Sequence, residues 1–319
     1  MNSEISCAFL GPSGTFTEQA LLDLIDARLI PQQLDSHTGN ARDDIQTVAA
    51  DSPKDALAKV RSGEVTYACI AIENSVDGPV TPAFDALTEG SELQIFRETE
   101  IGIVFSILVR PGTKASDVRT FVTHPVAYPQ VRSWVEANLP GVEVFQAKSN
   151  AAAAHQVAQG QYDACAAPAR AGQLLKLEAL AESVADVRGA TTRFVLVGKP
   201  AVPTARTGSD RTSVSFTLPN APGSLMRAMN EFAVRQVNLT RIESRPTRQV
   251  MGAYRFHLEF DGHIDDSQVA HALAALHDQA HDVRFLGSWP AAHSQAGGSA
   301  PPDISASMAW VDRLQQGAR

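Results

Sequence analysis

From residue 5 to residue 197 the chain keeps one rhythm, a short apolar run followed by a stretch whose apolar residues recur at helical spacing. ISCAFL is followed by EQALLDLIDARL, YACIAI by PAFDAL, and TFVTHP by a helix reaching Asn138. VEVFQA, a helix over residues 151–159, YDACAAP and TRFVLVG continue the pattern. Apolar runs of this length are strands, and strands separated by helices pair mostly in parallel, so this part predicts an α/β fold. Ile101, Ile103, Phe105, Ile107 and Val109 fall on alternate positions, which predicts one long strand crossing between two lobes. Two lobes imply a cleft.

The rhythm stops at residues 199–210, KPAVPTARTGSD. This segment is rich in Pro, Gly and small polar residues and reads as a linker. Beyond it Val214, Phe216 and Leu218 alternate, and Leu225, Met229 and Phe232 recur at helical spacing. A strand over residues 238–244 follows, then the alternating Tyr254, Phe256, Leu258 and Phe260. Val269, Leu273 and Leu276 mark a second helix, and Val283 and Phe285 a last strand. That order, βαββαβ, is a ferredoxin-like unit. Asp265 and Gln268 resemble a capping box at its second helix. The expected division is a two-lobed domain over residues 4–199, a linker over 200–211, a small domain over 212–290 and a mobile tail over 291–319, with a short helix over 305–316. A length of 319 residues accommodates this.

The net charge of −8 argues against nucleic acid or an acidic membrane as the partner, although a local basic pocket can still hold a small anion. Cys7, Cys69 and Cys165 lie far apart in apolar segments and read as buried thiols, with neither disulfide nor zinc-ligand spacing. No HExxH pattern occurs among the nine histidines, so no metal is expected. Without a basic leader or an apolar run of spanning length, the expected location is the cytoplasm.

Candidate ligand positions lie where strands end. FLGPSGTFTEQA has neither dinucleotide nor Walker spacing. Its glycine loop opens onto a helix N-terminus, a seat for a carboxylate, with Ser13, Gly14 and Thr15 as candidates. Thr15 and Glu18 also have capping-box spacing, so Thr15 is a cap, a ligand or both. Glu73, Asn74 and Ser75 follow YACIAI, at the carboxyl end of a strand where open α/β sheets bind ligands. The plain alternative is a polar turn. Thr123 and His124 sit at a similar exit with Gln130 further along, and His124 reads more readily as a backbone partner than as a catalyst. In GATTRFVLVG, Thr192 shares a strand face with Phe194 and Leu196, which puts a hydroxyl at the mouth of a dry face. In the second domain, Asn220, Ala221, Pro222, Gly223 and Ser224 form a turn that opens a helix, again a seat for a carboxylate.

Together GPSGTFTEQA, AIENSVDGPVTPAFDAL, THP, TTRFVLVG, PNAPGSLMRAMNEFA and TRIESRPTR resemble, in order and over residues 5–290, the prephenate dehydratases that carry a C-terminal ACT regulatory domain. The resemblance implies a two-lobed catalytic domain like a periplasmic binding protein. It implies conversion of prephenate to phenylpyruvate, water and carbon dioxide in phenylalanine biosynthesis, with no cofactor, in a homodimer or homotetramer inhibited by L-phenylalanine. It puts Thr192 on the threonine of the family's T-R-F motif and Glu73, Asn74 and Gln130 on other catalytic positions. Ser13, Gly14, Thr15, Ser75 and Thr123 then bind substrate. Asn220 to Ser224, with Leu225, Met226, Glu243 and Ser244, form the effector site. Arg193, facing away from Thr192, is assigned a structural ion pair, and Thr191 a structural role. Ser106 and Val126 depart from the family pattern, which often has His and Gln there. An arogenate dehydratase and a non-catalytic solute-binding protein are the alternatives.

Overall fold

The computed structural model describes residues 5–32, 41–247, 251–292 and 301–317. Contacts divide the chain into two units, Met1–Glu89 with Thr99–Lys199, and Gly90–Glu98 with Pro200–Arg319.

The first unit is built on two sheets. The strands and helices of its first lobe are β1 (Ile5–Leu10), α1 (Phe16–Asp26), β2 (Ile45–Ala50), α2 (Pro53–Ser62), β3 (Tyr67–Asn74), the short β4 (Gly78–Pro79), α3 (Thr81–Thr88) and, from Thr99 on, the end of β5 (Gln94–Gly102). Those of the second lobe are β6 (Phe105–Val109), β7 (Thr120–Thr123), α4 (Tyr128–Asn138), β8 (Glu143–Gln146), α5 (Asn150–Ala158), β9 (Ala164–Ala167), α6 (Ala169–Leu175) and β10 (Glu178–Val184). The chain then returns to the first sheet as β11 (Thr191–Gly198). Strand order is β2-β1-β3-β11-β5, with β4 on β3, in the first sheet and β10-β6-β9-β7-β8 in the second. β1 runs parallel to β2 and β3, and β7 parallel to β8 and β9. The right-handed crossovers such pairs require put helices on the faces and leave the carboxyl ends of β1, β3 and β7 free for loops.

The single crossing strand expected from the alternation of Ile101 to Val109 is instead two strands. β5 stops at Gly102 and β6 starts at Phe105, while the Ile103 N–H donates to the Ala190 carbonyl at 2.7 Å. All of β6 is buried, so its apolar residues mark no single face, and the apparent period spans a break between two sheets. In the second lobe Phe105, Phe121, Val131 and Val135 share a core against which Phe16 packs. The Phe16 ring meets Phe105 edge-on, with centroids 5.6 Å apart, a geometry worth ~0.5–1.5 kcal/mol beyond burial. The first residue of α1 is thereby keyed into the opposite lobe.

In the second unit, β12 (Asp210–Thr217), α7 (Ser224–Ala233), β13 (Leu239–Pro246), β14 (Tyr254–Asp261), α8 (Ser267–Gln279) and β15 (His281–Pro290) form the expected βαββαβ fold with strand order β13-β14-β12-β15. Val214, Phe216, Leu258 and Phe260 face α7 and α8 in one core. The capping box expected from Asp265 and Gln268 does not form. The helix starts after Asp266, whose carboxylate takes the His263 N–H at 2.7 Å and Arg206 Nε at 2.5 Å and makes no cap bond. An ion pair to the linker outcompetes the cap. A further helix, α9 (Ser305–Gln315), matches the one expected near the C-terminus. Residues 293–300 and 318–319 of the tail expected to be mobile lie outside the described residues. No helix among the described residues is long and apolar enough to cross a membrane.

Candidate active site

Five strand ends supply the candidate site of the first unit, the exits of β1, β3, β7 and β8 and the entrance of β11. At the end of β1, the hydroxyl of Thr15 caps α1 by accepting the Glu18 N–H at 3.1 Å and donates to the Leu10 carbonyl at 2.7 Å. The Glu18 carboxylate folds back onto the Gly14 N–H at 2.7 Å and meets Arg170 Nε, from α6 of the other lobe, at 3.2 Å. Gly14, at φ +97°, lies so close to α6 that an added Cβ would be 3.0 Å from Ala171. The glycine loop is therefore a junction between lobes, and its Gly14 donor, expected to be open to a substrate carboxylate, is taken by the chain's own acid. An acid in the first turn of a helix satisfies that donor without a ligand. Ser13 is exposed.

β3 and β11 are antiparallel and place Asn74 opposite Thr192, and Glu73 opposite Arg193. Adjacent strand residues face opposite sides, so this register splits the four into two pairs. On one side Asn74 Nδ2 donates to Thr192 Oγ1 at 2.8 Å, while Asn74 Oδ1 accepts the N–H groups of Val76 and Asp77. Thr192 is buried. On the other side Arg193 Nη2 meets Glu73 Oε2 at 3.1 Å. Glu73 is thus separated from the Asn74 and Thr192 side chains with which it was grouped. Ser75 Oγ accepts the Thr191 N–H at 2.9 Å, and the Ser75 N–H returns to the Thr191 carbonyl at 2.9 Å. This reciprocal pair closes the ladder and fixes the entrance of β11.

In the second lobe the buried Thr123 hydroxyl donates to Asn150 Oδ1 at 3.3 Å, and the same oxygen accepts the His124 N–H at 3.2 Å. Gln130, buried on the first turn of α4, donates from Nε2 to the Val126 carbonyl at 3.2 Å and to Asp77 Oδ2 at 3.4 Å. Asp77 lies in the turn that Asn74 organises, so the exits of β3 and β7 face each other. Hydrogen bonds run from Thr192 through Asn74 and the Asp77 turn to Gln130, and Thr123 stands at the same β7 exit. Asp77, Asn150 and Arg170 join them without a motif of their own; only the exit positions of Asp77 and Asn150, just beyond ENSV and VFQA, signal them.

His124 Nδ1 accepts the Val126 N–H at 3.3 Å, a backbone role. Burial holds its pKa below the usual 6.5, and the opposing charge of Asp77 recovers only part of that shift. Between the depressed folded value and 6.5 the unfolded chain binds more protons, so stability falls as pH drops through this window. Replacement with Asn, which cannot protonate, should flatten that part of the curve of unfolding free energy against pH. Equal slopes for both proteins would contradict this assignment. The three cysteines are buried, and burial raises their thiol pKa values, that of Cys7 to about 12. Among the described residues no three His, Cys, Asp or Glu side chains cluster to hold a metal.

On the second unit, Leu218, Pro219, Asn220, Ala221, Ser224 and Leu225, with Tyr254 and Phe256 of β14 and Gly252 just before it, line a cavity of about 150 Å³. Gly223 enters α7 at φ +79°. Arg227 spans the turn from Ser224 Oγ to the Pro222 carbonyl, both at 3.3 Å. Met226, expected in the wall, is 72% exposed and absent from it. Ser244 lies opposite the lining residue Phe256, whereas Glu243 lies opposite His257 on the other face of the sheet.

Comparison with known proteins sets this geometry in a family. The prephenate dehydratase family model matches residues 7–202. A prephenate dehydratase of Corynebacterium glutamicum is 55% identical over 283 residues, covering 89% of this chain and 87% of the relative. The crystal structure of an Arthrobacter aurescens prephenate dehydratase in complex with L-Phe superposes with a TM-score of 0.83 at 39% identity, covering 98% of this chain and 100% of that one. GqqA, described as a novel type of quorum quenching acylase, superposes at 0.75 with 29% identity, covering 90% and 98%. With the family model spanning the two-lobed unit, and relatives matching through the sheet of the second unit as well, the chain belongs to the prephenate dehydratase family.

Proposed function

We propose that the cleft converts prephenate to phenylpyruvate and that L-phenylalanine restrains it from the second unit. In this reaction the ring carboxylate leaves as carbon dioxide. Its bonding pair enters the ring, and the opposite C–O bond breaks, the departing hydroxide taking a proton to become water. The protein has to position a dianion and stabilise the leaving oxygen. The observation that carries this reading is the Asn74 to Thr192 hydrogen bond. Because Asn74 donates to Oγ1, the Thr192 proton is free to point at the substrate, and polarisation by the amide strengthens it as a donor. Gln130 shapes the cleft wall, and Ser13, Thr15 and Ser75 border it as candidate substrate contacts. Glu73 supports β11 through Arg193. Appearance of phenylpyruvate from prephenate with purified protein tests the reaction. Binding without product would favour the non-catalytic reading, and a larger kcat/KM for arogenate would change the substrate.

The cavity beside Asn220 suits an amino acid with an apolar ring. Leu218, Leu225 and Phe256 supply walls, Ser224 and the nearby Arg227 face a carboxylate, and Ser244 lies on the strand beyond. β13 is an edge strand with Ile242 49% exposed, which suits pairing with a second copy in a homodimer or homotetramer. The reading also makes the protein a cytoplasmic biosynthetic enzyme. Gly223→Val forces a β-branched residue to φ +79°, and its Cβ would approach Arg227 to 3.3 Å. Displacing this turn should raise the phenylalanine concentration for half-inhibition by ~10-fold or more, the loss of one hydrogen bond to a charged group, while leaving kcat unchanged. The full chain is required, because residues 90–98 group with the second unit and truncation at Lys199 removes Arg211 and Trp289, which bind the buried Glu98 carboxylate. Unchanged inhibition would place the effector elsewhere.

A further inference from the structure

We propose that Asn150 donates a hydrogen bond to a substrate carboxylate and that Thr123 acts through it. The proposal rests on the prephenate reading of the cleft and adds a specificity-determining residue that no motif marks. Asn150 opens α5 in the second lobe, directly after Ser149, whose Oγ caps the helix on the Ala152 N–H. Its amide orientation is fixed by chemistry. The oxygen that accepts a backbone N–H from His124 has to be Oδ1, and the same atom takes the Thr123 hydroxyl. Nδ2 therefore carries both donors on the opposite side, and it makes no hydrogen bond among the described residues.

Its surroundings locate those donors. The Ala147 N–H binds the Thr123 carbonyl at 2.9 Å, which holds the segment leading to Asn150 against the carboxyl end of β7. Asp77, from the turn organised by Asn74, reaches Gln130 and acts electrostatically on His124, the residue that donates to Asn150. Asn150 thus stands at the carboxyl end of β7, the strand exit that Gln130 joins to the turn organised by Asn74. A dianionic substrate in this space meets the Asp77 carboxylate as well, so uncharged donors on the second lobe are needed to hold it. Thr123 is 1% exposed with its proton committed to Asn150, which makes it a positioning residue rather than a contact.

Asn150→Asp separates this role from a structural one. Aspartate keeps an oxygen for Thr123 and the His124 N–H, and an acid in the first turn of a helix is favourable. If Asn150 only supports the fold, that variant keeps both stability and KM. The expected result is unchanged or higher thermal stability with KM for prephenate raised by at least ~10- to 150-fold, the loss of one donor to a charged group converted to affinity, and kcat changed less. Asn150→Ala should raise KM toward the lower end of that range. Thr123→Val should raise KM by a few-fold, and Thr123→Ser should restore it. Calorimetric binding of prephenate keeps the two readings apart: wild-type binding without phenylpyruvate would overturn the dehydratase reading, while weaker binding by Asn150→Asp would still uphold the donor. A folded Asn150→Asp protein with KM and affinity within twofold of wild type overturns the inference.

Discussion

Thr192→Val should fold cooperatively and lose most of its turnover. Valine is nearly isosteric with threonine, and the residue sits in a strand held on one side by β3, so packing is kept. What disappears is one hydroxyl that accepts from Asn74 and, in the proposed reaction, donates to the leaving oxygen. An interaction with a developing hydroxide is worth ~1.5–3 kcal/mol, which corresponds to roughly 10- to 150-fold in kcat. Serine, which keeps the hydroxyl but adds rotamer freedom, should fall between. Because the bond is made in the transition state, kcat and kcat/KM should fall together. Asn74→Ala should act in the same direction by leaving the hydroxyl unsupported. The double variant should lose less than the sum of both effects, since the two residues work as a unit. Normal kcat in Thr192→Val would return this threonine to the plain strand-entrance role.

The parts of the molecule legible in the sequence are those whose signals are local. The sheet of the second unit could be read because Val214, Phe216, Leu258 and Phe260 alternate against helical runs that bury one stripe. The exits of β1, β3 and β7 could be read because an apolar run ends there in polar residues. Long-range pairings leave no local trace. Asn74 meets Thr192 across 118 positions and Glu18 meets Arg170 across 152, so the first pair is reached only through the family's motifs and the second not at all. Periodicity also misleads where two strands share a phase. Ile101 to Val109 alternate through a break because each strand independently buries its own residues. β2 and β10 escape notice because IQTVAA and EALAESV carry polar or charged residues on partly exposed edges. Composition there reports an exposed face rather than the ladder.

Glu98 is the extreme case of a long-range pairing, and its replacement should have the largest effect on stability. Nothing around it in QIFRETEIG marks it, yet its side chain is fully buried. Four bonds converge on the carboxylate. Arg211 Nη1 is 3.2 and 3.0 Å from its two oxygens, Trp289 Nε1 is 3.0 Å from Oε2, and the Ala292 N–H is 2.9 Å from Oε1. The partners lie 113, 191 and 194 positions away, which is why residues 90–98 group with the second unit. Glu98→Ala would leave the buried Arg211 without this counter-charge and two further donors without an acceptor. Breaking a buried pair from one side costs about 3–5 kcal/mol, roughly a 6–20 °C fall in melting temperature for a domain of this size. Glu98→Gln keeps an acceptor and the volume, so its loss should be smaller. Combining Glu98→Leu with Arg211→Met removes both charges together and should recover the part of the loss due to the unpaired Arg211, because burying two ions costs desolvation that an apolar pair avoids, but not the part due to the Trp289 and Ala292 donors. The second unit should report the loss through Trp289, whose fluorescence follows its unfolding. If Glu98→Ala melts within about 2 °C of wild type, the carboxylate is not the tie between residues 90–98 and the sheet of the second unit.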